Sequence, residues 1–339
     1  LVIRRQRQMC IRDRFMIEFG IILSTYNFQN FKSDKSPEVN IDILDSEFST
    51  EIENKVKSIF WVRDMVNFPA LTKSPDFFQH KVEELIEGLD INLKSYDQEW
   101  IKENNMGGVI GVSQGSDRPP KFLVGEYNTK AKKQIALIGK GVLFDSGGLS
   151  LKSPAGMETM KTDMAGAATA WGIIALVAKE GLDIGLKVYT PIVENMPSGS
   201  AIRPGDILSM RNGKSIEVMN TDAEGRLIMA DALAYASESK PDIICDVATL
   251  TGAAYVALGV EIGAVFSNNK NTLESFLNSN DDGFENYHPL PLEQSYKSLI
   301  KSNIADMKNS GGRFGGAITA ALLLEEFVED INWIHLDIA

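Results

Sequence analysis

The chain has 339 residues, 44% of them hydrophobic, which at roughly 150 residues per domain predicts about two domains and ample material for a core. Its 34 Lys and Arg against 46 Asp and Glu give a formal net charge of −12, which repels phosphate backbones and anionic membrane surfaces and argues against nucleic acid as a partner. Two cysteines (Cys10, Cys245) and three histidines (His80, His288, His335) are too few for a disulfide framework or most zinc sites, so any metal here sits mainly on oxygen.

Leu1 to Arg14 reads LVIRRQRQMCIRDR, without a starting Met and without an apolar period. It resembles a translated sequencing-adapter scar, so residues 1–14 are expected to be a non-native segment outside the fold. The apolar run that follows, Phe19 to Leu23, is too short for a signal-peptide core, and a cytoplasmic protein is expected. Residues 15–60 read as the tail of an N-terminal domain and a connector, with a polar stretch from Lys32 to Pro37. Asp76 to Leu89 has helical apolar spacing (Phe77, Phe78, Val82, Leu85, Ile86, Leu89) behind the start signal Ser74-Pro75.

Strand-like and helical runs then alternate. Ile135–Ile138, Ala165–Lys179, Leu186–Val193, Ile216–Met219 and Arg226–Ser237 are followed by Ile243–Ala248, Ala264–Ser267, Ala317–Val328 and Trp333–Ile338. This order predicts an α/β fold, a mixed β-sheet sandwiched between helices. The longest apolar stretch, Gly252 to Phe266, carries Glu261 and falls short of the ~18 to 20 residues of a spanning helix, so no membrane segment is expected.

Two short motifs fail on context. Gly111-Val-Ser113-Gln-Gly115 spells a nucleophile elbow, but a helix has to follow the serine at once, and Pro119-Pro120 lies where that helix would run. Gly139-Lys140-Gly141 has neither the P-loop nor the dinucleotide spacing.

Three segments carry the chemistry. An apolar strand runs into Lys140 and Asp145 and then into the paired glycines Gly147-Gly148, the layout of a ligand site at a strand's carboxyl end. Asp163 opens a small-residue helix, where a plain N-cap is the alternative role. Asp222 and Glu224 lie two apart between a strand and a helix, and capping needs only one of them. Four acids beside segments apolar enough to be buried require cationic compensation, and two divalent ions balance them. With so little His and Cys, an oxygen-dominated metal pair is the economical solution, and Lys140 can join it as a neutral amine.

GKGVLFDSGGLSLK (139–152), MKTDMAGAA (160–168) and NTDAEGRL (220–227) resemble the cytosolic leucyl aminopeptidase family, as do DVATLTGA (246–253), SGGRFGGAITAALLLEEFV (310–328) and WIHLDIA (333–339). The resemblance implies a dinuclear metalloenzyme, holding two Mn2+ or Zn2+ ions per chain and removing N-terminal leucine and other mainly apolar residues from peptides, within a homo-hexamer. It implies a catalytic domain over residues 61–339, with the chain truncated relative to the family at both ends and part of the side-chain pocket past Ala339. Carried over by motif, Lys140, Asp145, Asp163, Asp222 and Glu224 hold the metals, with Asp145 and Glu224 bridging. Lys152 polarises the scissile carbonyl, and Arg226 holds a bicarbonate acting as general base. Met160, Asn220, Thr249, Leu250, Thr251 and Gly252 line the substrate. The competing expectation, a non-catalytic metal-binding scaffold of the same fold, predicts an altered residue at one of the seven metal or catalytic positions, and none is altered.

Overall fold

The computed structural model describes residues 2–37, 39, 41, 49–279 and 285–339, with side chains from residue 13 onward. Strands and helices alternate along it as the hydrophobic runs predict. The strands are β1 (Asn92–Tyr96), β2 (Lys121–Tyr127), β3 (Gln134–Gly139), β4 (Gly141–Asp145), β5 (Gly185–Asn195) and β6 (Ile207–Ser209). After them come β7 (Ser215–Glu217), β8 (Ile243–Ala248), β9 (Ile262–Ser267), β10 (Asn286–Pro289), β11 (Met307–Lys308) and β12 (Trp333–Asp337). The main sheet has the order β1-β2-β5-β3-β8-β12-β9-β10, with β4 paired to the end of β5, while β11, β7 and β6 form a small second sheet. Its centre, β5-β3-β8-β12, is parallel, and β1, β2 and β9 add antiparallel pairings. The sheet is mixed, as expected.

The helices are α1 (Val2–Leu23), α2 (Ser49–Asn67), α3 (Pro75–Ile86), α4 (Gln98–Glu103), α5 (Gly107–Ser113) and α6 (Pro154–Met157). They continue with α7 (Ala165–Lys179), α8 (Gly225–Ser237), α9 (Gly252–Leu258), α10 (Lys270–Ser279) and α11 (Gly316–Glu325). Alternation along each strand sends neighbours to opposite faces. Phe122, Val124, Ala136 and Ile138 join a core with α5, α8 and α11. Leu123, Leu137, Leu186 and Val188 join another with α2, α3 and α7. Close approach of α2 to α7 depends on Gly172, where a Cβ would meet the Val62 side chain at 2.8 Å.

Helix ends differ from the sequence reading for local reasons. Ser74 caps α3 by accepting the Phe77 N–H, but the helix stops at Ile86 because Gly88 takes φ +75°. Past Glu325, the N–H groups of Glu326, Phe327 and Val328 bond three residues back, so α11 tightens before Val328. Residues 2–14, given no element from sequence, are helical within α1, consistent with a run of Arg, Gln, Met and Ile free of Gly and Pro. The connector expected within 15–60 falls partly outside the described residues, and α2 runs unbroken across position 60. Among the described residues, no helix is long and apolar enough to cross a membrane.

One buried acid holds the layers together on the α8 side. Asp231 accepts the N–H groups of Gly108 (2.7 Å) and Val109 (3.1 Å) at the start of α5 and of Arg211 (2.9 Å). Burial still pushes its pKa up to about 7 against those bonds. The folded value lies above the unfolded ~3.9, so the native state binds an extra proton between about pH 4 and 7, and this contribution to stability falls as pH rises through that window. Asp231→Ala strands two buried donors and a part-buried one and is expected to cost about 3 kcal/mol. In urea unfolding, Asp231→Asn should cost less and flatten the pH slope. An unchanged slope would show that the carboxyl does not titrate there.

Candidate active site

The ends of β3, β4 and β8 converge with the loop before α8. Backbone bonds thread Lys140 between β8 and α7, its N–H donating to the Val247 carbonyl (3.1 Å) and its own carbonyl accepting the Ala167 N–H (2.8 Å). This close passage requires Gly166, whose Cβ would stand 2.1 Å from the Val247 oxygen. The Lys140 side chain is thereby delivered into a buried position, Nζ 2.6 Å from Asp163 Oδ1 and 2.9 Å from Glu224 Oε1, while donating to the Thr249 carbonyl (2.7 Å).

Asp145 closes β4. Its Oδ1 accepts the Gly147 N–H (2.9 Å) and Asn195 Nδ2 (2.8 Å), and its Oδ2 lies 2.9 Å from Lys152 Nζ. The turn that brings Lys152 back uses the left-handed residues Gly147 (φ +85°) and Gly148 (φ +61°). The same ammonium is 2.6 Å from Asp222 Oδ1. Asn195 also donates to the Thr221 carbonyl (2.9 Å), and Thr221 and Ser150 exchange hydrogen bonds, so the Asp145 and Asp222 loops are locked to each other.

Single ligand atoms of Asp145, Asp222 and Glu224 all lie within 4.8 Å of one another. The plain cap role is not what Asp163 plays. The N-cap of α7 is Met164, without a side-chain bond, and Asp163 Oδ1 turns instead to Lys140 and to Thr249 Oγ1 (2.8 Å). Asp163 Oδ2 is buried and has no hydrogen-bond partner among the described residues.

Electrostatics follow from burial and neighbours. Burial, reinforced by the Glu224 charge and opposed by Lys140 and Lys152, pushes Asp145 up to about 7. Burial also raises Asp163 and Asp222, against the pull of Lys140 and Lys152 respectively. For Glu224 burial is outweighed by Lys140, and the carboxyl is held below its usual range. Burial works against the charge of both lysines, but the surrounding carboxylates win and hold both above the usual lysine value. Four acids against two lysines leave excess negative charge, Asp163 Oδ2 has no hydrogen-bond partner among the described residues, and the donors are oxygens plus one amine. That donor set fits divalent cations.

The other expected residues divide. Arg226 bonds the Asn309 carbonyl through Nη1 (2.7 Å) and lies near Glu224 and Asp337, while its Nε is buried without a hydrogen-bond partner among the described residues. Met160 is half-buried in a 3₁₀ turn just before Asp163, and Asn220 accepts the Asp222 N–H. Leu250 and Thr251 N–H both donate to Asp337 Oδ1, and Thr251 Oγ1 donates to Asp337 Oδ2 (2.6 Å). Gly252 begins α9 and is exposed. Ser113 ends α5 rather than opening a helix, and its hydroxyl is committed to the Ile110 carbonyl (3.1 Å), so no nucleophile elbow forms.

Residues 60–339 match the cytosol aminopeptidase family, catalytic domain. The chain belongs to this family. It is 43% identical over 336 residues to a probable cytosol aminopeptidase of Syntrophotalea carbinolica and 41% identical over 338 residues to one of Sinorhizobium fredii. Each match covers 94% of this chain and 68% of the relative. Among solved structures, the cytosol aminopeptidase of Coxiella burnetii superposes with a TM-score of 0.90 at 36% identity, covering 94% of this chain and 70% of that one. The bottromycin maturation enzyme BotP in complex with Mn superposes at 0.88 and 34% identity, covering 94% and 71%. Family membership makes the chain a peptide hydrolase and accounts for the mixed sheet between helices.

Sequence reasoning did not single out Asn195, Thr221, Asn309 or Asp337. Asp337 lies inside the WIHLDIA segment that carries the family likeness, so a signal was present. Asn309, by contrast, is a lone loop amide that accepts the Met219 N–H (2.8 Å) and donates to the Asn220 carbonyl (2.7 Å). The lock at Asn195 generates an expectation. Asn195→Ala removes a donor to a buried carboxylate and strands the Thr221 carbonyl, which should lower unfolding free energy by about 3 kcal/mol. A denaturant midpoint within error of the unsubstituted chain would mean that the two loops hold their places without it.

Proposed function

We propose that this cytosol aminopeptidase family member removes N-terminal residues from peptides at a pair of divalent ions held by Lys140, Asp145, Asp163, Asp222 and Glu224. The observation that carries the reading is the excess of clustered carboxylate, with three ligand atoms within 4.8 Å and only two lysines among four acids. A BotP structure solved with Mn supports manganese as one of the ions, with zinc the other candidate. When bound, such ions polarise the scissile carbonyl and make a water nucleophilic near neutral pH.

The chain's own groups divide the remaining work. Lys152 is more open than Lys140, with side-chain exposures of 18% and 3%, so of the two it can reach a substrate carbonyl. Its raised pKa keeps the charge that stabilises a developing oxyanion. Lys140 has its ammonium committed to Asp163, Glu224 and the Thr249 carbonyl, and serving as a ligand costs it a proton. Arg226 is the residue assigned to hold a bicarbonate as general base, and its buried Nε, without a hydrogen-bond partner among the described residues, supports a donor kept for an anion. Met160, Asn220, Thr249, Leu250, Thr251 and Gly252 are assigned to the substrate, with leucine and other mainly apolar first residues preferred. The working form is a cytoplasmic homo-hexamer.

Two substitutions test the division. Lys152→Ala should cut turnover by a factor of ~10² to 10³ while sparing metal content, whereas Lys140→Ala should lower metal affinity first and activity as a consequence. Metal analysis beside steady-state kinetics on leucine amides decides it: full metal content in both variants with equal rate loss would remove Lys140 from the ligand set. N-acetylated peptides should resist cleavage, and their rapid hydrolysis would overturn the exopeptidase reading.

A further inference from the structure

A second lysine pair, Lys73 and Lys161, adjoins the turn just before Asp163. Lys73 is fully buried and is absent from every motif above. Its Nζ donates to the Met65 carbonyl (2.8 Å) and to the Lys161 carbonyl (2.7 Å). In return Lys161 Nζ donates to the Asn67 carbonyl (2.8 Å). The partners are the C-terminal end of α2 and the turn Met160–Thr162, about ninety residues apart in sequence.

The local cause is a proline. In α2 the Met65 carbonyl would ordinarily accept the N–H of residue 69, but that residue is Pro69, which has none. Met65 is buried, so its carbonyl needs another donor. Lys73 supplies it and spends a second proton on Lys161. A positive charge at the carbonyl end of a helix is also electrostatically favoured. Keeping an ammonium there is still expensive: burial first, and then the Lys161 charge, push the Lys73 pKa down to about 7. A buried methionine would fill similar space without that penalty but would strand the Met65 and Lys161 carbonyls, so what the lysine adds to packing is the link between those two carbonyls.

The link leads to the site two residues along the chain. Past the turn the backbone reaches Asp163, whose carbonyl accepts the Val142 N–H (3.2 Å) and whose carboxylate meets Lys140 and Thr249. On its amino side, the segment from Met160 to Asp163 is tied to the scaffold through Lys73 and Lys161. We propose that Lys73, together with Lys161, is a positioning clamp that sets the Met160–Asp163 segment against the end of α2 and thereby aims the Asp163 carboxylate and the Met160 side chain into the site. The proposal rests on the reading of Asp163 as a metal ligand.

The test measures Mn2+ binding by titration calorimetry, together with KM and kcat for leucine p-nitroanilide, on Lys73→Met, Lys161→Met and Asp163→Asn. Groups that orient metal ligands typically change metal affinity by 10- to 100-fold. Lys73→Met is expected to weaken one Mn2+ site about tenfold, leave the other unchanged, and raise KM more than it lowers kcat. A packing role alone would lower the melting temperature and leave those quantities at the wild-type values. Should Lys73→Met fail to fold, Lys161→Met breaks the more accessible half of the clamp and should shift the same Mn2+ site in the same direction by a smaller factor. Wild-type Mn2+ affinity and KM in every folded clamp variant, with Asp163→Asn weakened, overturns the clamp alone. Unchanged affinity in Asp163→Asn as well overturns the ligand reading beneath it.

Discussion

Carboxylates gathered at the carboxyl ends of a parallel sheet are the constraint on which the rest of this structure depends. Such a cluster is unfavourable unless positive charge and donors reach it from several directions. Lys140 comes from the end of β3, Lys152 returns through the Gly147-Gly148 turn, and Asn195 arrives from the end of β5. Two helices also begin at the cluster: α7 starts just after Asp163, and Glu224 is itself the N-cap of α8. Neither acid makes a side-chain capping bond, so what the helices contribute is the positive end of their dipoles.

The two lysines show how one residue type is given two different environments within one site. Lys140 is enclosed and saturated with acceptors, while Lys152 bridges Asp145 and Asp222 at a more open position. The separation is created by backbone, since Gly166 lets β3 pass beneath α7 and the left-handed glycines turn β4 back toward Asp222. Small residues in these motifs thus place the charged ones.

Legibility in the sequence followed the same line. The strands β3, β5, β8 and β12 were readable because each carries a predominantly apolar run that is largely buried on both faces. Edge and short strands were harder: β1 reads Asn-Leu-Lys-Ser-Tyr and is half-exposed, β6 and β11 have three and two residues, and β7, read from sequence as Ile216–Met219, lies at Ser215–Glu217. α9 was hidden inside the apolar stretch that begins at Gly252, where period alone cannot separate helix from strand. The acids and lysines of the site stood out because glycines punctuate them. Asn195 and Asn309 carried no such mark, for each is one amide whose partner is 26 or 89 residues away, brought near only by the fold.

Asp337 and Lys73 show why such supports are decided above the level of motifs. Asp337 pairs with Ala248 in the β12–β8 register, which sets its carboxylate under the loop that follows β8, where it binds two backbone N–H groups and the Thr251 hydroxyl. A slip of one residue would turn that side chain to the other face of the sheet and leave those donors stranded. Lys73 depends in the same way on Pro69, four residues upstream, having no proton to give Met65. In both cases a backbone group left without its ordinary partner is satisfied by a buried charged side chain, and the loop so restrained carries residues of the candidate site. The accuracy of the site is therefore a property of the sheet register and the helix ends, with the ligand-bearing loops inheriting it.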